Sequence, residues 1–119
     1  MRDAVQSFLT TIKEREHVLK LIEHLEMLII KLVCEHTTIE LAFHRGKAIF
    51  LEENREIAIS CEVSGMDESI KCLLSGEKKL RYLIIGGQLK VTASFRTILL
   101  LESIFYLTKP DEQQGRLIS

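Results

Sequence analysis

The chain has 119 residues, 46% of them hydrophobic and 28% charged, with a formal net charge of −1. That size and balance predict one globular domain over residues 1–119 with a loose tail at 111–119, and they exclude a disordered chain. Near-neutral charge, without any long block of like charges, gives no field to hold phosphates, so no nucleic acid partner is expected.

Val5, Phe8, Leu9 and Ile12 recur at helical spacing, and Leu19 and Ile22 continue the stripe. They predict a helix over 3–24. Asp3 and Gln6 have capping-box spacing. The run Lys13-Glu14-Arg15-Glu16 interrupts the stripe and predicts a break near 15–18. Met27–Cys34 is rich in apolar and β-branched residues, Glu35-His36-Thr37 is a short polar turn, and Thr38–Phe43 alternates with period two. Two such segments around a turn predict a hairpin, with Ile39, Leu41 and Phe43 on one face and Glu40 and His44 on the other. His44-Arg45-Gly46-Lys47 predicts the next turn, Ala48–Leu51 a third strand, Glu52–Arg55 another turn, and Glu56–Val63 a fourth strand with Ile57, Ile59, Cys61 and Val63 on one face. The four strands read as a meander.

Ser64 and Asp67 have capping-box spacing, Met66, Ile70, Leu73 and Leu74 give an apolar face, and Gly76 stands at a helix end. A helix follows from this. Residues 77–85 stay ambiguous, with Tyr82, Leu83, Ile84 and Ile85 too apolar for a free loop. Gly86-Gly87 breaks the chain, Gln88–Ala93 predicts a fifth strand with Leu89, Val91 and Ala93 inward, and Ser94 caps a last helix that stops before Pro110.

The order of these elements, with Leu73-Leu74-Ser75-Gly76-Glu77 and Gly87-Gln88-Leu89-Lys90-Val91 at their spacing, resembles the sterol carrier protein type two family over roughly residues 26–107. The resemblance implies an α+β fold, with a five-stranded, mainly antiparallel sheet. The sheet is a four-strand meander plus a fifth strand, covered on one face by N-terminal, middle and C-terminal helices. It also implies an apolar tunnel between the layers for fatty acyl chains, acyl-CoA or sterols, and it brings no catalytic residue. Ala93-Ser94 stands where the family has Gly-Asn or Gly-Asp.

In the last helix, Phe95, Ile98–Leu101 and Ile104–Leu107 occupy nearly the whole circumference. A helix apolar all round has to be covered on several sides. Its cover could be core plus a second subunit, a bound ligand, or a membrane, and the scarcity of Lys and Arg on this helix argues against the membrane. Leu73, Leu74, Tyr82, Ile85, Leu99 and Phe105 are the candidate ligand walls, with the Tyr82 hydroxyl able to bond a head group.

Neither the four histidines nor the Cys34-Glu35-His36 turn has metal-site spacing, so no metal and no cofactor is expected. Cys34, Cys61 and Cys72 read as reduced core residues. Met1–Gln6 lacks a leader's features, and no apolar run approaches the roughly 20 residues that span a bilayer. The expected location is cytoplasmic. The sequence thus reads as a non-enzymatic binder of an apolar or amphipathic small molecule such as a fatty acid, acyl derivative or sterol-like lipid. The alternative is an interaction module with a filled core, and a homodimer through the last helix is expected in either case.

Overall fold

The structure, a computed structural model, describes residues 1–23, 27–51 and 59–108. Helix α1 spans Arg2–Glu14 and buries the stripe Val5, Phe8, Leu9 and Ile12. Arg15 then takes an extended backbone (φ −106°, ψ 96°) and breaks the helix where the charged run predicts it. Helix α2, Glu16–Glu23, buries Val18 and Ile22. The Asp3–Gln6 box does not form. The helix begins one residue early, Met1 is its N-cap without a side-chain bond, and Asp3 falls inside the first turn. There its charge lies near the positive end of the helix dipole.

Strands β1 (Leu28–Val33) and β2 (Thr38–His44) form the expected antiparallel hairpin, with Ile30 opposite Leu41 and Leu32 opposite Ile39. Strand β3, Lys47–Phe50, returns beside β2 through the turn Arg45-Gly46. Both turn residues have positive φ, 46° and 82°, the mirror-image turn that suits the twist of a two-residue hairpin. The Gly46 N–H donates to the Ile22 carbonyl at 3.2 Å, which ties this turn to the end of α2.

The fourth strand corrects the expectation of a four-strand meander. Strand β4, Cys61–Gly65, lies on the far side of β1 and pairs with it in parallel, Ile30 opposite Cys61 and Leu32 opposite Val63. Strand β5, Leu89–Thr92, pairs antiparallel with β4, giving the order β3-β2-β1-β4-β5. The sheet is therefore mainly antiparallel with one parallel pair. Period-two alternation tells which side chains share a face but not which strand is the neighbour. Ile59 precedes β4 and is exposed instead of joining the buried face. The expected turn Glu52–Arg55, the start of the fourth strand with Ile57, the end of the first helix at 24, and the tail 111–119 lie outside the described residues.

Helix α3 spans Asp67–Leu74. Ser64 does not cap it; Ser64 stays in β4, and its hydroxyl donates to the Lys90 carbonyl at 3.5 Å. The acceptor comes instead from the β1–β2 turn. The Asp67 N–H donates to the Glu35 carboxylate and the Glu35 N–H donates to the Asp67 carboxylate, both at 3.0 Å. This satisfies an orphan N–H of the first helical turn through space. At its other end Gly76, φ 73°, closes α3: its N–H donates to Leu73 O and that of Glu77 to Cys72 O. The ambiguous segment is helix α4, Leu80–Ile85, closed the same way through Gly87, φ 74°. Both ends show the paired bonds of a glycine-stopped helix.

Helix α5, Phe95–Leu107, starts as predicted. The Ser94 hydroxyl accepts from the Thr97 N–H at 3.2 Å. Ser94→Ala is expected to cost about 1 kcal/mol, and Ser94→Gly only a few tenths. Urea denaturation midpoints check this, and equal losses for the two would contradict a capping role.

One face of the sheet, with Ile30, Leu41, Phe43, Val63 and Leu89, is buried with the inner faces of all five helices in one core. Within it Phe8 and Phe105 stack at 5.1 Å between ring centroids. The opposite face carries Lys31, Glu40 and Glu62, with Lys31 Nζ 3.8 Å from Glu62.

Candidate functional site

Helix α5 is apolar nearly all round, but its faces are not equivalent. Leu101, Ile104 and Phe105 are in the core. Phe95, Leu99 and Tyr106 share the opposite face and are exposed, Phe95 by 66% and Tyr106 by 47%. Helix α4 repeats the division. Leu80 and Leu83 are buried, while Tyr82 is 71% and Ile85 84% exposed.

Two contacts hold these outer faces side by side. Arg81 pairs with Glu102 through Nε and Oε2 at 2.8 Å, and its N–H donates to the same carboxylate at 3.3 Å. Lys79 Nζ stands 4.9 Å from the centre of the Tyr106 ring. Across these contacts numbers rise along α4 as they fall along α5. Ile85 therefore lies toward the N-terminal half of α5, where Phe95 and Leu99 emerge.

The six sequence-predicted wall residues separate into two groups. Leu73, Leu74 and Phe105 are core residues, whereas Tyr82, Ile85 and Leu99 are on the outer faces of α4 and α5. The structure does not bring them to one wall. An all-apolar helix carries no periodicity by which its inner side can be told from its outer side.

A cleft of about 490 Å³ lies between Tyr82 and Tyr106, with Gly76, Glu77, Lys78, Lys79 and Gln88 around it. Of these, sequence reasoning singled out only Tyr82 as a wall. Its best available signal for the rest was the pair of helix-ending glycines, Gly76 and Gly87, which bracket the lysines and Tyr82. A larger cleft of about 630 Å³ has Glu35, Glu68, Lys90 and Met66 among its lining and no aromatic side chain. A third, of about 220 Å³, has Phe8 and Leu74 in its wall, between α1 and α3. Of these three clefts, the one between Tyr82 and Tyr106 combines aromatic walls, a cationic rim and a volume in the usual range of small-molecule sites.

The thiols are not activated. Burial, with a smaller push from Glu62, raises Cys61 from 9.0 to about 11. Burial also raises Cys34 and Cys72, and Cys72 is further held protonated by its contact with Glu77, 3.4 Å away. Cys34 and Cys61 are buried as expected, but Cys72 is only partly so. Among the described residues no group of three His, Cys, Asp or Glu could hold a metal ion. No described helix is long and apolar enough to cross a membrane.

No family model matches the sequence. No curated protein matches it either. Solved structures do. The fold is that of the sterol carrier proteins, as the resemblance in residues 73–77 and 87–91 implies. A UbiJ-SCP2 ubiquinone synthesis protein superposes with a TM-score of 0.68 at 17% identity, over 87% of each chain. Sterol carrier protein 2 from Yarrowia lipolytica, in its apo form, gives 0.57 at 14% identity, over 90% of this chain and 88% of that one. The inverting sec-alkylsulfatase Pisa1 from a Pseudomonas species contains a similar unit, TM-score 0.62 at 14% identity, covering 77% of this chain but 14% of the sulfatase. At these identities the likeness is one of fold, and one fold hosts several functions.

Proposed function

We propose that the protein binds an apolar or amphipathic small molecule, of the fatty acyl or sterol-like class, and carries it without reacting with it. The observation that carries this reading is the cleft between Tyr82 and Tyr106 with Lys78 and Lys79 at its rim. Two aromatic side chains offer apolar faces with a hydroxyl at the tip. The ammonium groups suit an anionic head group such as a carboxylate. Burying the tail would contribute about 25 cal/mol per Å² of apolar surface. The solved structures of like fold support the ligand class by their descriptions, one a sterol carrier and one a ubiquinone synthesis protein.

The same reading assigns the six wall residues different parts. A tail leaving the cleft along Ile85 and Leu99 meets surface that is already open. A tail turning inward would have to displace Leu73, Leu74 and Phe105 from a close-packed interior. The outer route therefore needs no rearrangement of the core.

Displacement of a fluorescent fatty-acid analogue from delipidated protein tests the reading. Saturable binding is expected, weakened about tenfold by Tyr106→Ala through loss of one aromatic wall. Absence of saturation up to about 100 μM, equivalent to roughly 5.5 kcal/mol, would overturn it.

A further inference from the structure

We propose that the outer face of α4 and α5 docks on an anionic lipid surface. Tyr82, Ile85, Phe95, Leu99 and Tyr106 are all exposed on two helices held together by the Arg81–Glu102 pair. An exposed apolar patch of this extent marks a contact surface. Tyrosine rings, apolar in body and polar at the tip, suit the level of lipid head groups.

Charge selects the partner. Around this face Lys78, Lys79 and Arg96 stand against Glu77, with Arg81 and Glu102 paired to each other, a local excess of +2 in a chain of net −1. Helix α5 alone carries only Arg96 and Glu102, too little to hold anionic lipid. The fold supplies what the helix lacks by setting Lys78 and Lys79 beside Tyr106. A second copy of the chain fits this face poorly. A two-fold interface sets a patch against a copy of itself, so a face with an excess of cations would meet another face with the same excess. A surface of anionic head groups has the opposite sign and also accepts the apolar side chains.

The inference shares Tyr82, Tyr106, Lys78 and Lys79 with the ligand reading but has its own test, because Ile85 and Phe95 lie outside the cleft. It is tested by flotation of the ligand-free protein with two kinds of vesicle. One is phosphatidylcholine alone, and the other is equal parts phosphatidylcholine and phosphatidylglycerol. Binding is expected to the mixed vesicles only, and to weaken as salt is raised. Each of Lys78→Gln and Lys79→Gln should lower partitioning about fivefold. Ile85→Glu and Phe95→Glu should abolish it. Both positions are exposed, so an unchanged circular dichroism spectrum and thermal midpoint are expected alongside. Equal binding to both vesicles, or to neither, overturns the proposal. So does a wild-type dimer by light scattering that Phe95→Glu converts to a monomer, since the face would then belong to a second copy.

Discussion

Phe105→Ala is expected to destabilise the protein by about 3–5 kcal/mol, a fall in Tm of roughly 10–20 °C for a chain of this size. Phe105 is 1% exposed and packs on Phe8, so its removal loses the buried ring area and an aromatic pair and leaves a cavity in the core. On the same helix Phe95 is exposed. Phe95→Ala should therefore stay within about 0.5 kcal/mol of the parent protein. Thermal and urea denaturation of the two variants read the comparison directly. Similar losses at both positions would mean that α5 has no free outer face, and the lipid-docking proposal would lose its footing as well.

Gly65→Ala is expected to cost about 1–3 kcal/mol by overpacking. Gly65 lies opposite Leu89 where β4 meets β5. A Cβ built there would lie 2.5 Å from Leu89 Cδ2 and 2.7 Å from the Gln88 carbonyl oxygen. Leu89 is buried and cannot swing into solvent, and the carbonyl is backbone, so the two strands must separate locally. Adding Leu89→Ala removes the first obstacle and leaves the second. The double variant should then lose less stability than the sum of the single losses, by about 1 kcal/mol. A Gly65→Ala protein with an unchanged denaturation midpoint would show that β5 is held less closely than the geometry implies.

Local signals in the sequence were legible because each acts within a few residues. The charged run at 13–16 marks the break at Arg15, and Ser94 marks the start of α5 through a bond to Thr97. Gly76 and Gly87 mark two helix ends because each closes its helix in a left-handed conformation, which glycine adopts without steric cost. The alternation of Ile39, Leu41 and Phe43 fixes the buried face of β2. Local signals also misled. Ser64 and Asp67 have the spacing of a capping box, yet Ser64 is held in β4 and the acceptor for Asp67 arrives from Glu35, 32 residues away.

The candidate site was the least legible part. Leu73, Leu74 and Phe105 are apolar residues of the core, while Tyr82, Ile85 and Leu99 are apolar residues of the surface, and nothing in their types separates them. The sequence by itself determined the helices other than α4, most of the strands and the overall α+β class, because periodicity, caps and glycine stops are written into neighbouring residues. Only the tertiary structure decided that β4 lies parallel to β1, and only it set Lys78 and Lys79 beside the bare outer face of α5. Both are pairings between distant segments, chosen by which arrangement buries one continuous core, and no short stretch of the chain carries that choice.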